Sequence, residues 1–138
     1  MQSLVGHWVL EEWTATVDGT VVHPFGGRAD GFLTYTADGR MWAALQRRDR
    51  APLGTGTLAA ASAEQRAAAA AGYLAYGGRY TTDGERVVHH VETSLFPDWI
   101  GGDQIRLIDW DGDRLVLSTP PETSTGGRSV VNRLRWRR

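Results

Sequence analysis

Asp-Gly pairs at positions 18–19, 38–39, 83–84 and 111–112 recur along this chain of 138 residues. Each pair lies between two short runs of apolar and β-branched residues. Asp-Gly is a preferred centre of the tight turn between two antiparallel strands, because both residue types tolerate the left-handed backbone that this turn requires. Four turns of this kind predict a protein built mainly from antiparallel strands.

About nine strands are predicted outward from these turns, since the flanking runs are rich in Val, Leu, Thr, Tyr and Trp. The longest loops are expected at 48–61 and 120–128. A sheet of this kind has no exposed edge once it closes on itself, so we expect an all-β, up-and-down antiparallel barrel of eight or nine strands. A two-sheet sandwich is the alternative. The strands are expected near 4–17, 20–24, 31–36, 40–47, 78–83, 86–94, 104–110, 114–119 and 129–137.

A single segment departs from the strand pattern. The run Ser-Ala-Glu-Gln at 62–65 has the spacing of a capping box, in which two side chains satisfy free backbone N–H groups at a helix start. An Ala-rich stretch follows as far as Tyr76, and the Gly-Gly pair at 77–78 is a typical helix stop. We therefore expect one α-helix at 62–76 that covers an end of the barrel.

Length and charge narrow the classes of function. A chain of 138 residues suits a single domain over 1–138. Fifteen Arg against sixteen acidic residues give a formal charge of −1, so we expect no nucleic-acid partner. No apolar run reaches the roughly 18 residues that span a bilayer, and the amino terminus lacks the order of a signal peptide. We therefore expect no membrane partner and a cytoplasmic location.

The residue types present also limit the chemistry. The absence of Cys and Lys excludes a thiolate nucleophile, a Cys-ligated zinc and a Schiff base. The spacing of the four His matches no zinc motif, and the chain has no phosphate loop or dinucleotide glycine pattern. We expect neither metal nor cofactor, so any catalysis would depend on His, carboxylate, Tyr or Arg side chains.

The predicted strand at 86–94 carries the candidate catalytic residues His89, His90 and Glu92. Neighbouring side chains in a strand point to opposite faces, so only one of the two histidines faces the barrel interior. If His90 faces inward, Glu92 accompanies it and the two form a potential acid and base pair. If His89 faces inward, it is a lone histidine in an apolar wall. A histidine that only packs in the core is the structural alternative.

Aromatic and polar side chains on the predicted strands are candidate ligand-binding residues. Aromatic rings with a polar atom suit a pocket for a planar ligand, although a small barrel core also uses them. Polar side chains such as Gln46, Arg106 and Asn132 are unfavourable in a filled barrel, because burying an unpaired polar group costs a few kcal/mol. An inward Arg106 would suit a carboxylate or an enolate. The candidate ligand-binding residues are Tyr35, Trp42, Gln46, Tyr76, Tyr80, Trp99 and Arg106.

Several segments together resemble one known family. Gly6-His7-Trp8 opens the first strand, and the last strand carries Arg133, Arg135 and Arg137. Between them lie HPFG at 23–26, GFLTYTADGRM at 31–41, YGGRY at 76–80, HHVE at 89–92 and PDWIG at 97–101. This order of motifs is similar to that of the lipocalin-like domain family of calycin-type β-barrels from bacteria and fungi. The resemblance implies a lipocalin-like barrel, closed at one end by an arginine of the last strand stacked on Trp8.

The function that we expect is binding of a small, largely apolar or aromatic molecule in the barrel interior. The alternative is a cofactor-independent cyclase, isomerase or dehydratase of secondary metabolism, with an interior histidine as general acid or base. That alternative follows from the resemblance, since some members of the family are encoded among genes for secondary metabolism. A purely structural or interaction domain is a third class. The sequence leaves a homodimer open.

Overall fold

Eight antiparallel strands close into a barrel in the computed structural model, which describes residues 2–124 and 126–138. The strands of the chain are β1 (Gly6–Val17), β2 (Thr20–Val22), β3 (Ala29–Tyr35), β4 (Arg40–Arg47), β5 (Tyr73–Thr82), β6 (Arg86–Ser94), β7 (Asp103–Asp111), β8 (Arg114–Ser118), β9 (Glu122–Thr123) and β10 (Ser129–Arg137). The short strands β2 and β9 are additions that pair with β1 and β10. The other eight form the wall, and β10 pairs with β1 to close it. The predicted barrel is confirmed.

The four Asp-Gly pairs predicted as turns all lie between strands. They join β1 to β2, β3 to β4, β5 to β6 and β7 to β8. In the first turn, both Asp18 (φ 48°) and Gly19 (φ 82°) have left-handed backbone, as a two-residue hairpin turn requires. Local turn chemistry therefore accounts for four of the nine connections between successive strands of the described residues.

The one α-helix, α1 (Ala63–Ala71), is shorter than predicted. Its capping box is confirmed, because the Ser62 hydroxyl accepts a hydrogen bond from the Gln65 backbone N–H at 3.1 Å and the Gln65 side chain accepts one from the Ser62 N–H at 2.9 Å. The predicted end at Tyr76 is wrong. The segment from Tyr73 onward belongs to β5, where its backbone pairs with β4. The sheet hydrogen bonds outweigh the helix propensity of these residues, although Leu74 and Ala75 are good helix formers.

The helix lies beside the loop that precedes it. None of its residues is buried, and the Gln65 side chain donates to the Leu53 carbonyl at 3.3 Å. No helix of the described residues is long and apolar enough to cross a bilayer. The predicted loop 120–128 contains β9, and Thr125 within it lies outside the described residues.

Gly77 and Gly78 interrupt the pairing of β5 with β6 instead of ending the helix. The register shifts between these two residues, which is a β-bulge. A Cβ on Gly77 would lie 2.3 Å from the Trp42 ring, and one on Gly78 would lie 2.0 Å from the His90 carbonyl oxygen. Only glycine fits at either position, because both neighbours approach the backbone too closely for a side chain.

Trp8 seals one end of the barrel and is fully buried. The Arg138 guanidinium lies 4.4 Å from the centroid of its ring. The expected cation–π contact is therefore present, and its arginine is Arg138. It is none of the three arginines predicted from the last strand, Arg133, Arg135 and Arg137. The alternation of the strand explains the difference, because Leu134 and Trp136 are buried and position 138 continues their face.

Candidate functional site

A cavity of about 250 Å³ lies inside the barrel. Leucine, alanine and tryptophan side chains form most of its wall: Trp13, Leu33, Ala43, Leu45, Leu74, Trp99, Leu117, Leu134 and Trp136. Seven lining residues carry polar groups: Tyr76, His89, Gln104, Arg106, Thr119, Glu122 and Asn132. An apolar wall with a few polar groups is the usual character of a small-molecule site.

His89 is the histidine that faces the interior, and it is almost fully buried at 1% exposure. Val87, His89 and Val91 form the buried face of β6. The Tyr35 hydroxyl lies 2.6 Å from Nε2 of His89, and the Tyr76 hydroxyl lies 2.7 Å from Nδ1. Both ring nitrogens are therefore occupied by tyrosine hydroxyls. Three elements, β3, β5 and β6, supply this cluster.

Burial controls the protonation of the cluster. It lowers the pKa of His89 from 6.5 to about 3, and the nearby positive charge of Arg106 acts in the same direction. Burial likewise raises the pKa of Tyr76, and it raises that of Tyr35 well above the ordinary value of 10.0. All three groups are therefore neutral at neutral pH.

Arg106 brings a positive charge into the cavity wall. It lies on the half-buried face of β7, together with Gln104. Its guanidinium donates to the Ile105 carbonyl at 2.8 Å and contacts the Gln104 side-chain oxygen at 3.5 Å. No carboxylate of the described residues lies within 4.0 Å of it. An arginine without a paired carboxylate can bind an anionic or polarised ligand oxygen.

Two further sequence candidates lie where they were expected. Trp99, in the short 3-10 helix Pro97–Trp99, lines the cavity and packs edge-on against Tyr76 with ring centroids 5.4 Å apart. Asn132 also lines the cavity, and its side-chain oxygen accepts a hydrogen bond from the Trp13 indole at 2.9 Å. Tyr76, Trp99 and Arg106 are thus brought together around one space.

Trp42 and Gln46 do not face the cavity, contrary to their selection as ligand-binding residues. Met41, Ala43 and Leu45 are the buried face of β4, so the alternate positions 42 and 46 point outward. Trp42 is 57% exposed. Its ring lies over Gly77 on the outer surface.

His90 and Glu92 also point outward, which decides between the two orientations left open by the sequence. The His90 ring lies 2.8 Å from an Asp103 carboxylate oxygen and 3.1 Å from the Thr81 hydroxyl. The Glu92 carboxylate forms exposed ion pairs with Arg40 and Arg79. Neither residue lines the cavity, so the geometry does not support a paired acid and base in the interior.

Tyr35 and Tyr80 belong to the core beside the cavity and do not line it. Their rings pack edge-on with centroids 4.7 Å apart. The Tyr80 hydroxyl donates to the Thr36 carbonyl at 2.8 Å, and its ring borders a separate, more open depression. The Tyr35 hydroxyl contacts the cavity-lining residue His89.

Several residues that line the cavity were not among the ligand-binding residues predicted from the sequence. Gln104 and Trp136 had a usable signal, because each lies two positions from another inward residue, Arg106 and Leu134. Trp13 had none. A bulge between Leu10 and Glu12 shifts the register of β1, which changes the residues that face inward. Among the described residues, no group of three His, Asp or Glu side chains is arranged to hold a metal ion.

Comparison with known proteins gives two matches. The sequence profile of a family described as "Lipocalin-like domain" matches residues 5–138. A curated relative, the 4'-hydroxy-3'-methoxypropiophenone carrier protein of Aspergillus oryzae (strain ATCC 42149 / RIB 40), is 39% identical over 83 residues. The matched part is 54% of this chain and 75% of the relative. No solved structure matches significantly.

Proposed function

This chain belongs to the lipocalin-like domain family, and from that premise we propose that it is a carrier that binds a small aromatic molecule inside its barrel. The observation that carries the proposal is the cavity of about 250 Å³, with tryptophan walls and the Tyr76 and Arg106 side chains. A role in binding small molecules also agrees with the carrier name of the Aspergillus oryzae relative.

The size of the cavity limits the ligand. Sites for drug-sized molecules usually enclose about 300–1,000 Å³. A volume of about 250 Å³ therefore suits a molecule with one aromatic ring and short substituents. Trp13, Trp99 and Trp136 line the cavity, and aromatic pairs contribute about 0.5–1.5 kcal/mol beyond their buried area.

The polar groups of the wall indicate a ligand with oxygen atoms. Arg106 and Tyr76 can donate hydrogen bonds to an oxygen, whereas a hydrocarbon would offer no acceptor for the positive charge of the guanidinium. An aromatic ketone or phenol meets both requirements. The relative is named for such a compound, a hydroxylated and methoxylated propiophenone.

A carrier role is favoured over the cyclase, isomerase or dehydratase alternative by the state of His89. A general base needs a pKa near the working pH, and burial holds the pKa of His89 at about 3. Both of its ring nitrogens are already bonded to tyrosine hydroxyls. The one interior histidine therefore has no free nitrogen with which to remove a proton from a ligand.

A titration with 4'-hydroxy-3'-methoxypropiophenone, followed by tryptophan fluorescence, tests the proposal. The Ala43→Phe variant places a ring into the cavity, whereas Ala44→Phe adds the same ring on the outward face of β4. We expect saturable binding to the unchanged protein and to Ala44→Phe, and at least about tenfold weaker binding to Ala43→Phe, equivalent to about 1.4 kcal/mol. Leu74→Phe, at the half-buried start of β5, narrows the cavity with less crowding and serves if Ala43→Phe does not fold.

Recovery of the bound compound separates a carrier from an enzyme. After prolonged incubation, extraction and mass spectrometry are expected to return the compound unchanged. Absence of binding, or equal binding to the inward and outward phenylalanine variants, would contradict a cavity site. Conversion of the compound to a product would favour the enzyme.

A further inference from the structure

The two hydrogen bonds that join His89 to Tyr35 and Tyr76 run in one donor-to-acceptor direction. The number of protons on the three groups determines this direction. A neutral imidazole carries one N–H and one bare nitrogen, so it donates to one tyrosine and accepts from the other. The tyrosine that accepts the ring N–H keeps its own hydroxyl proton for a third partner. The direction of these hydrogen bonds therefore decides which tyrosine can donate its hydroxyl proton to a third group.

Tyr35 is assigned as the tyrosine that donates to the ring, because it does not line the cavity, whereas Tyr76 does, so only Tyr76 can pass its proton to an acceptor in the cavity. Tyr35 is 1% exposed, and His89 is the only hydrogen-bond partner that the described residues give its hydroxyl. If the ring donated to Tyr35 instead, the Tyr35 proton would be buried without an acceptor, which is unfavourable. Tyr35 therefore donates to Nε2, and Nδ1–H of His89 donates to the Tyr76 oxygen.

The free proton of the cluster consequently belongs to the hydroxyl of Tyr76, which is one of the residues that line the cavity. Arg106 lies in the same wall, close enough for its charge to oppose the effect of burial on the pKa of Tyr76. Two donors, one neutral and one positive, thus adjoin the same space. Paired donors of this kind stabilise negative charge on a ligand oxygen, because the site is partly shielded from water and needs no reorganisation.

We propose that Tyr76 and Arg106 form an oxyanion site, and that the molecule carried is an acidic phenol or enol bound as its anion. This inference rests on the proposed carrier function and specifies the chemical class of its ligand. Tyr35 and His89 are positioning residues, which fix the direction of the Tyr76 proton without touching the ligand.

The other polar groups of the wall leave this assignment intact. His89 is neutral, and the side-chain oxygen of Asn132 already accepts from Trp13. Glu122 is the one carboxylate that the described residues place in the wall, and it disfavours an anion. Its side chain is exposed, so solvent weakens its effect relative to that of the half-buried Arg106.

The ionisation of a bound phenol measures the oxyanion site directly. In 4'-hydroxy-3'-methoxypropiophenone the hydroxyl is para to the ketone, so loss of its proton extends the conjugation and moves the absorption band to longer wavelength. A pH titration of the saturated complex, read from this band, gives the apparent pKa of the bound phenol. A positive charge about 4–6 Å away lowers the pKa of an acidic group by about 1–3 units, so we expect a decrease of at least about one unit from the free compound.

Matched variants identify the source of this decrease. Arg106→Met removes the charge and keeps most of the side-chain volume, and Tyr76→Phe removes only the hydroxyl. Each is expected to return the phenol pKa toward that of the free compound, whereas Glu122→Gln is expected to lower it further. Tyr73→Phe, outside the cavity, is the control for a tyrosine hydroxyl and is expected to leave the bound pKa unchanged.

The outcomes separate the two proposals. Binding without a decrease in the phenol pKa, or a decrease that persists in both Arg106→Met and Tyr76→Phe, overturns the oxyanion site and leaves the carrier function standing. Failure of the compound to bind the unchanged protein overturns both. A decrease that both variants abolish supports the assignment.

Discussion

Acidification is expected to destabilise the fold through His89. Protonating the buried ring would place a charge beside Arg106 and would remove the bare nitrogen that accepts from Tyr35. The pKa of this residue is about 3 in the folded protein and 6.5 as the ordinary value. The unfolded chain therefore binds a proton at a higher pH than the folded protein does. The stabilisation from the neutral ring is complete above about pH 6.5 and decreases as the pH falls toward 3.

The magnitude follows from the linkage of protonation to folding. Each pH unit within this window costs about 1.4 kcal/mol of unfolding free energy. Between about pH 7.5 and about pH 5, the loss from this one group is about 2 kcal/mol. A domain of this size is stable by about 5–15 kcal/mol, so the change is easily measured.

Urea unfolding at the two pH values, followed by circular dichroism, measures this loss. His89→Gln is the reference variant, because its side chain can still donate and accept hydrogen bonds but does not titrate. We expect the decrease in unfolding free energy between the two pH values to be about 2 kcal/mol larger for the unchanged protein than for His89→Gln. Equal decreases in both proteins would refute a buried neutral His89.

Two other predictions concern the frame of the barrel. Gly78→Ala is expected to lower the unfolding free energy by at least about 2 kcal/mol, since its Cβ would lie 2.0 Å from the His90 carbonyl oxygen. Gly126→Ala should change it little when both are compared by urea unfolding, because none of the described residues beyond its chain neighbours has an atom within 4 Å of the new Cβ. Arg138→Met is expected to cost about 0.5–2 kcal/mol in the same assay, because it removes the cation over the Trp8 ring. An unaltered urea midpoint for Gly78→Ala would contradict the close approach of the His90 carbonyl. An unaltered urea midpoint for Arg138→Met would contradict the contact with the Trp8 ring.

The sequence predicts the fold well because its strongest signals are local. An Asp-Gly turn needs only its own backbone and its two flanking strands, and all four turns are present. The capping box at Ser62 is equally local and is also confirmed. The helix end was misplaced because Tyr73 pairs with Gln46, a residue far from it in the sequence. The pairing of β4 with β5 is a tertiary interaction, and local signals for the start and end of a helix carry no information about it.

The site is less predictable because it depends on which face of each strand points inward. Arg106 and Asn132 were correctly singled out as polar groups in an interior wall. Trp42 was placed inside although β4 buries the alternate residues. The cluster around His89 joins Tyr35 and Tyr76 from two other strands, so it appears only once the register of the whole barrel is known.

A crystal structure of the protein with 4'-hydroxy-3'-methoxypropiophenone tests the central claim most directly. The account predicts the compound inside the barrel, with its aromatic ring among Trp13, Trp99 and Trp136 and its phenolic oxygen within hydrogen-bond distance of both Tyr76 and Arg106. An empty cavity with the compound on the outer surface, for example against the exposed ring of Trp42, would contradict it.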